Sequence, residues 1–398
     1  MSKSTHFFGQ SVFGQLIELI DPAVFSQVLR QSKADRCYKR FHSWDHLVCM
    51  LFAVFSHCTS LREVCGAMMG LKGKLEHFGL RKVPRRSTLS DSNRCRTNSL
   101  FALLYYKLFQ RYRTILSDSR FMQIGGKSIS VIDSTTIGLF KDILRCVGRT
   151  PVKGKRKGGI KVHTELILDE HVPRLVWFTA ATVHDSKFLK QIDFKPDNIY
   201  VFDKGYIDYN FYEDLIGKNI GFVTRLKASA TYKTTNSRSS NDVIIGDETI
   251  ELPIRKNGVV IRTISLRKVT WRDTVNNGIG EVITNIVDMS AENIPLIYRQ
   301  RWQIECMYKQ LKQNFPLRYF LGDNENAITI QIWCTLIANL LLSVIQSQLK
   351  RHVAFSCMAS YVRVNLINYI HLIRFLNNPE KDWSDNDSQQ SLPSLFSP

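Results

Sequence analysis

Five strand-like segments begin near residue 128, and their order restricts the fold more than any other feature of the sequence. Three of them follow one another closely along the chain: SISVID, KVHTELILD and RLVWFTAATV, the last two joined by the polar turn EHVP. The fourth is NIYVFDKGY, which is followed by the helix-like stretch YNFYEDLIGKN and by the fifth, GFVTRLK. This order predicts an α/β domain with a mixed sheet, in which a meander comes first and a strand–helix–strand unit comes last.

The patterning of the chain changes along its length and divides it into regions. Residues up to about Tyr112 have helical periodicity and little strand signal, whereas residues from Ala228 to about Asn285 alternate with period two, as strands do. We therefore predict an all-helical domain at residues 1–120 and an α/β domain at 121–350, with a β-rich insertion at about 228–284. Residues 351–398 are expected to form a C-terminal helical segment and a polar, disordered tail.

Two helix starts can be placed in the helical region. In TSLREVCGAMMG, Ser60 and Glu63 have the spacing of a capping box. In VPRRSTLSDSNRCR, Ser87 is the expected N-cap. Arg86 directly precedes it, and Arg94 lies about two helical turns after it. A helix start crowded by arginines can bind phosphates, so we expect Arg86 and Arg94 to contact DNA. The alternative is an ordinary helical bundle with basic edges.

The stretch IYRQRWQIECMYKQLKQ, residues 297–313, predicts one amphipathic helix with an unusual polar face. At about 100° per residue, its apolar side chains collect on one side: Ile297, Ile304, Met307 and Leu311. The opposite side holds a single carboxylate, that of Glu305, within a basic and aromatic stripe: Tyr298, Arg301, Trp302, Lys309 and Lys312. Charged helix faces are usually only solvated, so this pattern needs support from the rest of the chain.

Two strands of the predicted sheet end on an aspartate. Asp133 closes SISVID, and Asp203 follows NIYVF. With Glu305 from the helix, this fold can bring three carboxylates together at the rim of the sheet. Carboxylate oxygens with room for water are what Mg²⁺ or Mn²⁺ requires, and two such ions can activate a hydroxyl and stabilise the leaving oxygen of a phosphodiester. We therefore expect the three acids to hold Mg²⁺ or Mn²⁺, two ions in all.

The chain is strongly basic, with 54 Lys and Arg against 35 Asp and Glu and a net charge of +19. This excess favours a polyanionic partner, most commonly nucleic acid, although charge alone does not separate DNA from RNA or an anionic membrane. The segment RTPVKGKRKGGIK has six basic residues and no acid. We expect it to follow a DNA backbone through Lys155, Arg156 and Lys157, and a solvated loop is the alternative. Lys161 and His163 open the second strand, and His184 and Asp185 close the third. A role in metal chemistry is one interpretation of these residues, but histidines in such places are more often hydrogen-bonded structural groups.

Other features bear on the compartment. Nine cysteines without a C-x-x-C pair favour a reducing cytoplasm over a disulfide framework. A group of histidines and cysteines matches no zinc-ligand spacing, so core packing is preferred for them: His42, His46, Cys49, His57 and Cys58. The N-terminal MSKSTHFFGQ lacks the apolar region of a signal peptide. The uncharged stretch 327–349 contains several polar residues, so a buried core helix is expected there rather than a membrane span.

Four residues of the amphipathic stretch carry a resemblance to a known family. Their spacing matches the Tyr-x2-Arg-x3-Glu-x6-Lys signature of bacterial insertion-sequence transposases of the insertion-sequence-4 kind: Tyr298, Arg301, Glu305 and Lys312. Asp133 in VIDSTTI and Asp203 in VFDKGYIDY lie where that family places its first and second catalytic aspartates. The resemblance spans roughly residues 128–350, and the preceding part is similar to the helical DNA-binding domain often found ahead of it.

The resemblance implies a ribonuclease H-like mixed-sheet catalytic core with a β-rich insertion between the second aspartate and the glutamate. It implies metal-dependent, cut-and-paste transposition, with Asp133, Asp203 and Glu305 as catalytic residues and metal ligands. The basic stripe then faces double-stranded DNA, both the element's terminal inverted repeats and the target. The expected assembly is a homodimer in a synaptic complex, acting at the nucleoid in the bacterial cytoplasm, not at a membrane. In some members a Trp beside the signature Arg handles a flipped base during a hairpin step, and Trp302 has that place. The alternative is that Trp302 is a packing anchor in the core, a role that also suits a Trp next to an Arg.

Two other functions are compatible with the same fold. One is a DNA-binding protein derived from a transposase that has lost catalysis, and the other is a structure-specific DNA nuclease. The presence of Asp133, Asp203 and Glu305 with the full signature argues against the first. The second leaves the helical N-terminal region without a purpose. We therefore expect an active transposase.

Overall fold

The computed structural model describes residues 9–36, 38–71, 73–117, 127–138, 159–168, 172–227, 229–238, 241–256, 259–273 and 278–379. Two of the sequence-based expectations concern residues outside these ranges. They are the DNA contact of Lys155, Arg156 and Lys157, and the disorder of the C-terminal tail beyond residue 379. Both stay predictions.

The described residues form α-helices and strands with the following bounds. The helices are α1 (Val12–Glu18), α2 (Pro22–Ser32), α3 (Ser43–Phe55), α4 (Leu61–Met69), α5 (Arg86–Cys95), α6 (Ser99–Leu116), α7 (Tyr209–Gly217), α8 (Asn293–Arg299), α9 (Trp302–Asn314), α10 (Glu325–Ser347), α11 (Phe355–Asn365) and α12 (Leu372–Asn377). The strands are β1 (Ser128–Gly138), β2 (Gly159–Ile167), β3 (Pro173–Ala180), β4 (Asn198–Phe202), β5 (Gly221–Thr224), β6 (Lys233–Ser237), β7 (Ile244–Lys256), β8 (Val259–Asp273) and β9 (Gly278–Thr284).

The chain folds into two compact units. One comprises Met1–Ile115 together with Gln310–Pro398, and the other comprises Leu116–Lys309. Among the described residues, the first unit is helical and the second contains every strand. The sequence had indicated a boundary near residue 350, but α10 belongs to the unit of the N-terminal helices. The physical reason is packing, since the apolar surface of α10 lies against α3, α5 and α11.

The core of the first unit is built around α3 and α10. Every residue of α10 from Ala327 to Leu342 is buried, as is every residue of α3 from His46 to Phe55. The polar side chains inside α10 are hydrogen-bonded, as burial requires: Gln331 accepts from the Leu321 amide, and Asn339 accepts from Gln310. By length and composition α10 is apolar enough to cross a membrane, but 94% of its most apolar window is buried inside the protein. The expectation of a buried core helix is confirmed.

Of the two predicted helix starts, the structure confirms one and contradicts the other. Ser60 is the N-cap of α4, and its hydroxyl accepts a hydrogen bond from the Glu63 amide, as expected. The prediction of Ser87 as an N-cap is wrong, because α5 begins at Arg86, two residues before a helix capped by Ser87 would begin. Arg85 is the N-cap residue, with extended backbone and no side-chain hydrogen bond to the helix. The buried residues of α5 are Leu89, Ser92 and Asn93, and such tertiary packing contributes more to the stability of a helix than a local capping serine does.

The arginine that follows α5, Arg96, is fully buried and serves the fold. Its guanidinium donates to Asp35 (2.6 Å), to the carbonyl oxygen of Phe41 (2.7 Å) and to the hydroxyl of Ser43. The ring of Tyr38 covers the guanidinium at 4.0 Å. A buried charge is tolerated when it is paired and hydrogen-bonded, as it is here. Arg96 therefore ties the end of α5 to the loop before α3 and is not available to DNA.

The second unit contains one nine-stranded mixed sheet in the order β3-β2-β1-β4-β5-β9-β8-β7-β6. β1, β2 and β3 are antiparallel neighbours, whereas β1, β4 and β5 are parallel, with α7 connecting β4 to β5. The expected mixed α/β fold is confirmed. β6 to β9 lie in the segment predicted to be a β-rich insertion, and β9 pairs antiparallel with β5, so these strands extend the same sheet.

A buried ion pair anchors the β-rich segment to the chain that leads into α8. Asp247 on β7 accepts two hydrogen bonds from Arg267 on β8, both 2.8 Å long, and a third from Arg238. Arg267 also donates to the carbonyl oxygens of Ile286, Val287 and Met289. These interactions hold the pKa of Asp247 below its usual value against the effect of burial. The residues before α8 are therefore fixed to the sheet through one guanidinium.

Arg96 and Arg94 are a matched pair for testing the role of burial. Arg96→Met leaves the carboxylate of Asp35 without its main partner, and we expect stability to fall by on the order of 2 to 4 kcal/mol. Arg94→Met removes an ion pair with Asp91 whose side chains are 66% and 65% exposed, so a change below about 1 kcal/mol is expected. Urea unfolding of the full-length protein measures both. Equal losses in the two variants would contradict a structural role for Arg96.

Candidate active site

The pairing of two parallel strands places Asp133 and Asp203. β1 and β4 run in the same direction, and their last paired residues are Ile132 and Phe202. Each aspartate comes one residue later, so both lie where the pairing of β1 with β4 ends. The expectation that a strand ends on Asp133 is wrong, because β1 continues to Gly138 through its pairing with β2. β4 ends there, and Asp203 becomes the N-cap residue of a short 3₁₀ helix, Lys204–Tyr206. The structure thus brings the first two predicted carboxylates together.

Glu305 reaches the same site from the first turn of α9. The guanidinium of Arg301 lies 3.5 Å from the Oδ2 atom of Asp133 and 2.5 Å from the Oε1 atom of Glu305. One positive charge therefore connects the acid of the strand with the acid of the helix. One turn beyond Glu305, the hydroxyl of Tyr308 donates a 3.0 Å hydrogen bond to the backbone oxygen of Asp133. α9 is thereby fixed to β1 at the residue that carries the first carboxylate.

The stretch that was predicted to be one helix is two helices. α8 ends at Arg299 and α9 begins at Trp302. Between them, the amides of Gln300 and Arg301 donate to carbonyl oxygens three residues back, which forms a tighter turn than an α-helix. The turn changes the helical phase, so Tyr298, which was expected in the polar stripe, is only 7% exposed. The single-helix prediction is wrong because a short-range wheel assumes unbroken periodicity.

Tyr298 lies beneath the stripe and not in it. The guanidinium of Arg225 lies 5.5 Å from its ring centroid and that of Arg301 5.9 Å, within the range of cation–π attraction. Burial raises the pKa of Tyr298 above its usual value, so the phenol is neutral at physiological pH. Its ring supports two arginines at the edge of the sheet where Asp203 lies.

Three residues of the stripe are open to solvent, whereas Arg301 is 21% exposed. The side chain of Trp302 is 59% exposed, and Lys309 and Lys312 are exposed as well. The apolar face behaves as predicted, since all of its members are buried: Ile297, Ile304, Met307 and Leu311. A tryptophan that anchored a core would be covered on all sides, so the structure does not support the packing alternative for Trp302.

The electrostatics of the site are dominated by crowded acids. The pKa of Asp133 is raised to about 6, chiefly by burial and to a smaller extent by the nearby carboxylates of Asp203 and Glu305, while the Ser134 amide and Arg301 act in the opposite direction. For Arg301, burial alone would lower the pKa, but Tyr298, Glu305 and Asp133 raise it above its usual value. The group therefore needs positive charge, and Arg301 supplies one unit of it.

The donor chemistry of these acids fits Mg²⁺ or Mn²⁺, because the site offers only hard oxygen ligands. As the side chains stand, no three His, Cys, Asp or Glu residues in the described part of the chain are grouped closely enough to bind one ion. The position of Arg301 explains this, since its guanidinium lies between Asp133 and Glu305. The raised pKa of Asp133, caused above all by burial, shows only that a positive charge beside this carboxylate would be favourable.

Several groups at this edge were not identified from the sequence. Arg225 follows β5, and because Phe202 pairs with Thr224, Arg225 lies beside Asp203. The sequence contained a signal for Arg225, because a basic residue directly follows the apolar strand GFVT. Tyr308 lies three residues after Glu305, on the same face of a helix, and this spacing was also visible. His163 is structural, as expected: it is buried, its Nε2 atom lies 2.8 Å from the Thr179 hydroxyl, and burial lowers its pKa to about 4.

Arg86 and Arg94, the DNA contacts predicted from the first part of the sequence, belong to the other unit. Both are exposed on α5, and Arg94 forms a 3.0 Å ion pair with Asp91. The five histidines and cysteines considered as zinc ligands, His42, His46, Cys49, His57 and Cys58, are packed in the core of that unit or bound to other groups. His46, for example, is fully buried with its Nε2 atom 2.7 Å from the Asn93 side chain, and burial lowers its pKa to about 3.

Comparison with known families decides the identity. The family described as Transposase DDE domain matches residues 124–341, which is more than half of the chain and includes all three acids. The chain belongs to the DDE transposase family. A second match, to a domain of unknown function, covers residues 8–81.

Curated relatives of this transposase agree with the assignment. It is 29% identical over 289 residues to a putative transposase, y4zB, of Sinorhizobium fredii, which covers 71% of this chain and 78% of the relative. It is 25% identical over 303 residues to a putative transposase for the insertion sequence element IS4SA of Synechocystis, and the match covers 73% of this chain and 81% of the relative. A probable transposase for the element IS5377 of Geobacillus stearothermophilus is 28% identical over 242 residues, and the match covers 60% of this chain and 62% of the relative. The protein is therefore a transposase, and neither alternative function is favoured.

A solved structure also aligns with the transposase. It is the piggyBac transposase synaptic complex with hairpin DNA, at 10% identity and a TM-score of 0.44, covering 96% of this chain and 86% of that chain. A score of this size is too low to bear on the fold.

The raised pKa of Asp133 predicts a pH-dependent effect on the stability of the metal-free transposase. A folded-state pKa of about 6, against the ordinary 3.8, means that the folded state binds this proton more tightly than the unfolded state does. Wild-type stability should therefore gain from this group as the pH falls from about 6 to about 4. Asp133→Asn carries no charge, and we expect it to be more stable than the wild type by on the order of 2 kcal/mol at pH 8, with the difference vanishing near pH 4.

Urea unfolding in EDTA between pH 4 and 8 measures this difference. Asp193→Asn is the matched control, because the side chain of Asp193 is 86% exposed and its removal should change stability little at any pH. A wild-type protein that is as stable as Asp133→Asn at pH 8 would show that the crowded acid carries no energetic cost.

Proposed function

We propose that Asp133, Asp203 and Glu305 form the centre at which this transposase cleaves DNA and transfers strands. The observation that carries the proposal is the register of β1 and β4, which places two aspartates side by side, with Arg301 connecting the first of them to Glu305. The raised pKa of Asp133, to which both other acids contribute, supports the grouping. Clusters of acids with perturbed pKa values at a sheet edge are common at functional sites.

We infer that the three acids hold Mg²⁺ or Mn²⁺, two ions in all, when DNA is bound. Such ions supply an activated hydroxyl and stabilise charge on the leaving oxygen of a phosphodiester. The chain's own residues prepare the site: the Ser134 amide holds one oxygen of Asp133 at 2.7 Å, and Tyr308 holds the backbone of the same residue. Arg301 offsets the charge of the acids in the free protein and is suited to a phosphate once a cation takes over that role.

Double-stranded DNA is the proposed substrate, bound at the terminal inverted repeats of the element and at the target. The net charge of +19 supports a polyanionic partner. Near the acids, the exposed Trp302 can stack on an unpaired base, and Lys309, Lys312 and Arg301 can neutralise phosphates. Tyr298 acts from below, by holding the guanidinium groups of Arg225 and Arg301 in place.

The remaining parts of the proposal concern the whole assembly. We assign the exposed Arg86 and Arg94 on α5 to binding of the repeat, and the segment with Lys155, Arg156 and Lys157 to the DNA backbone near the acids. The core strand order β3-β2-β1-β4-β5 supports a ribonuclease H-like catalytic fold. We further propose cut-and-paste transposition by a homodimer in a synaptic complex, at the nucleoid in the cytoplasm, and membership of the DDE transposase family supports this proposal.

The first test of the proposal removes each acid in turn. Asp133→Ala, Asp203→Ala and Glu305→Ala should each reduce cleavage of a duplex carrying the element's end by at least about a thousandfold in Mg²⁺, because each removes a proposed metal ligand. Binding of the same duplex should change by less than about threefold, since acids do not attract phosphates. Gel-shift and cleavage assays measure the two effects, and strand transfer into a plasmid separates a transposase from a nuclease. Cleavage near the wild-type rate by any variant would remove that residue from the centre.

The second test concerns Trp302. Because its side chain is 59% exposed, Trp302→Ala should lower the melting temperature by no more than a few degrees. If the indole stacks on a displaced base, the step after the first nick should slow at least tenfold, while nicking itself stays close to normal. Trp302→Phe keeps an aromatic face and should recover part of the rate. A variant whose steps all slow together, with a large loss of melting temperature, would instead indicate a packing role.

A further inference from the structure

A fourth carboxylate, that of Asp185, lies between Ser134 and Gly205. Ser134 directly follows Asp133, and Gly205 lies two residues after Asp203. Asp185 begins a 3₁₀ helix, Asp185–Gln191, that follows β3. Its side chain is 24% exposed, so it is largely enclosed by the second unit. None of the functions assigned above to Asp133, Asp203 and Glu305 requires it. Its contacts on two sides indicate what it does.

On one side, Asp185 reaches the strand that carries Asp133. The hydroxyl of Ser134 donates a 2.9 Å hydrogen bond to the Oδ1 atom of Asp185. The amide of the same Ser134 donates a 2.7 Å hydrogen bond to the Oδ1 atom of Asp133. Ser134 therefore binds both carboxylates: its backbone amide binds that of Asp133, and its hydroxyl binds that of Asp185. A displacement of Asp185 would release the side chain of Ser134 and loosen the backbone that orients Asp133.

On the other side, Asp185 reaches the turn that follows Asp203. A Cβ atom placed on Gly205 would lie 3.2 Å from the Oδ2 atom of Asp185, a tight contact that glycine avoids. Gly205 is the middle residue of the 3₁₀ helix that Asp203 precedes, and the Tyr206 amide donates to the backbone oxygen of Asp203 at 3.0 Å. The carboxylate thus packs directly against the backbone that determines where Asp203 points.

Asp185 is itself held by a lysine. The Nζ atom of Lys161 lies 3.0 Å from the Oδ1 atom of Asp185 and donates a 2.9 Å hydrogen bond to the backbone oxygen of Val183. The lysine side chain is 14% exposed, so this ion pair is shielded from water more than a surface pair is. Lys161 lies on β2, the antiparallel neighbour of β1. The carboxylate is therefore anchored independently of the two segments that it contacts.

We propose that Asp185 is a positioning residue, which fixes β1 at Ser134 and the turn after β4 relative to each other and so presets the spacing of Asp133 and Asp203. It acts through Ser134 and Gly205, because its Oδ1 atom is already occupied by Ser134 and Lys161. The effect on catalysis rests on the proposed roles of Asp133 and Asp203, whereas the effect on the two segments does not. Catalytic groups displaced by about 1 Å can lose about a hundredfold in rate, which is why such a support matters.

The experiment is Asp185→Asn in the full-length transposase. The amide oxygen of Asn can still accept from Ser134, but a neutral side chain cannot balance the charge of Lys161. We expect faster amide hydrogen exchange in the peptides that contain Ser134 and Gly205. We also expect the cleavage rate at saturating DNA to fall at least tenfold, with the affinity for a duplex carrying the element's end changed less than twofold. Ser134→Ala should have a similar effect, and combining the two should add little because they share one contact.

Lys268→Met is the matched control for a simple loss of stability. Lys268 is buried on β8, where it donates to the Tyr232 hydroxyl at 2.8 Å and pairs with Glu248 and Glu281, and two strands, β5 and β9, separate β8 from β4. Its removal destabilises the same unit away from the acids, so it should leave the exchange of the two peptides and the cleavage rate near wild type. Unchanged exchange in Asp185→Asn, an unchanged cleavage rate, or equal losses in Lys268→Met would each overturn the proposal. Full cleavage by Asp133→Ala would instead overturn the assignment of the catalytic acids, and the exchange measurement would still decide the role of Asp185.

Discussion

The parallel pairing of β1 with β4 is the constraint on which the site depends. It joins residues that are about 70 positions apart, Ser128 to Ile132 with Asn198 to Phe202, and it fixes their register to the residue. Because side chains alternate along a strand, a shift of one residue would turn Asp133 or Asp203 to the other side of the sheet. The parallel pairing of β4 with β5 extends the same edge and brings Arg225 beside Asp203. Everything else at the site is arranged around this edge.

Three acids at one edge repel one another, and the surrounding residues compensate. Arg301 contacts Asp133 and Glu305, the Ser134 amide binds Asp133, and Tyr308 holds the strand from the helix side. The pKa of Asp133 nevertheless stays raised, to about 6, so the compensation is partial. A site that keeps unfavourable charge in the free protein is suited to bind cations when substrate arrives, and such local instability is common where function requires it.

Interactions that support the site also involve residues other than the three acids. The ring of Tyr298 lies under Arg225 and Arg301, and the carboxylate of Asp185 lies under Ser134 and beside Gly205. In both cases a buried or half-buried group contacts another that lies closer to the three acids. Side chains that touch substrate are held rigidly only when a second layer of contacts supports them. In this transposase that second layer comes from β2, β5 and the two short 3₁₀ helices.

The sequence by itself determined the type and order of the strands from β1 to β5, the apolar face of α9, and the candidate acids. Those features depend on local periodicity and on residue type, which are readable within a few positions. It did not determine the break between α8 and α9, the burial of Tyr298, the start of α5 at Arg86, or the packing of α10 with the N-terminal helices. Only the tertiary structure decided these, because each depends on which distant surface a segment packs against. Periodicity can show that a helix has an apolar face, but it cannot name the partner of that face or show where packing ends the helix.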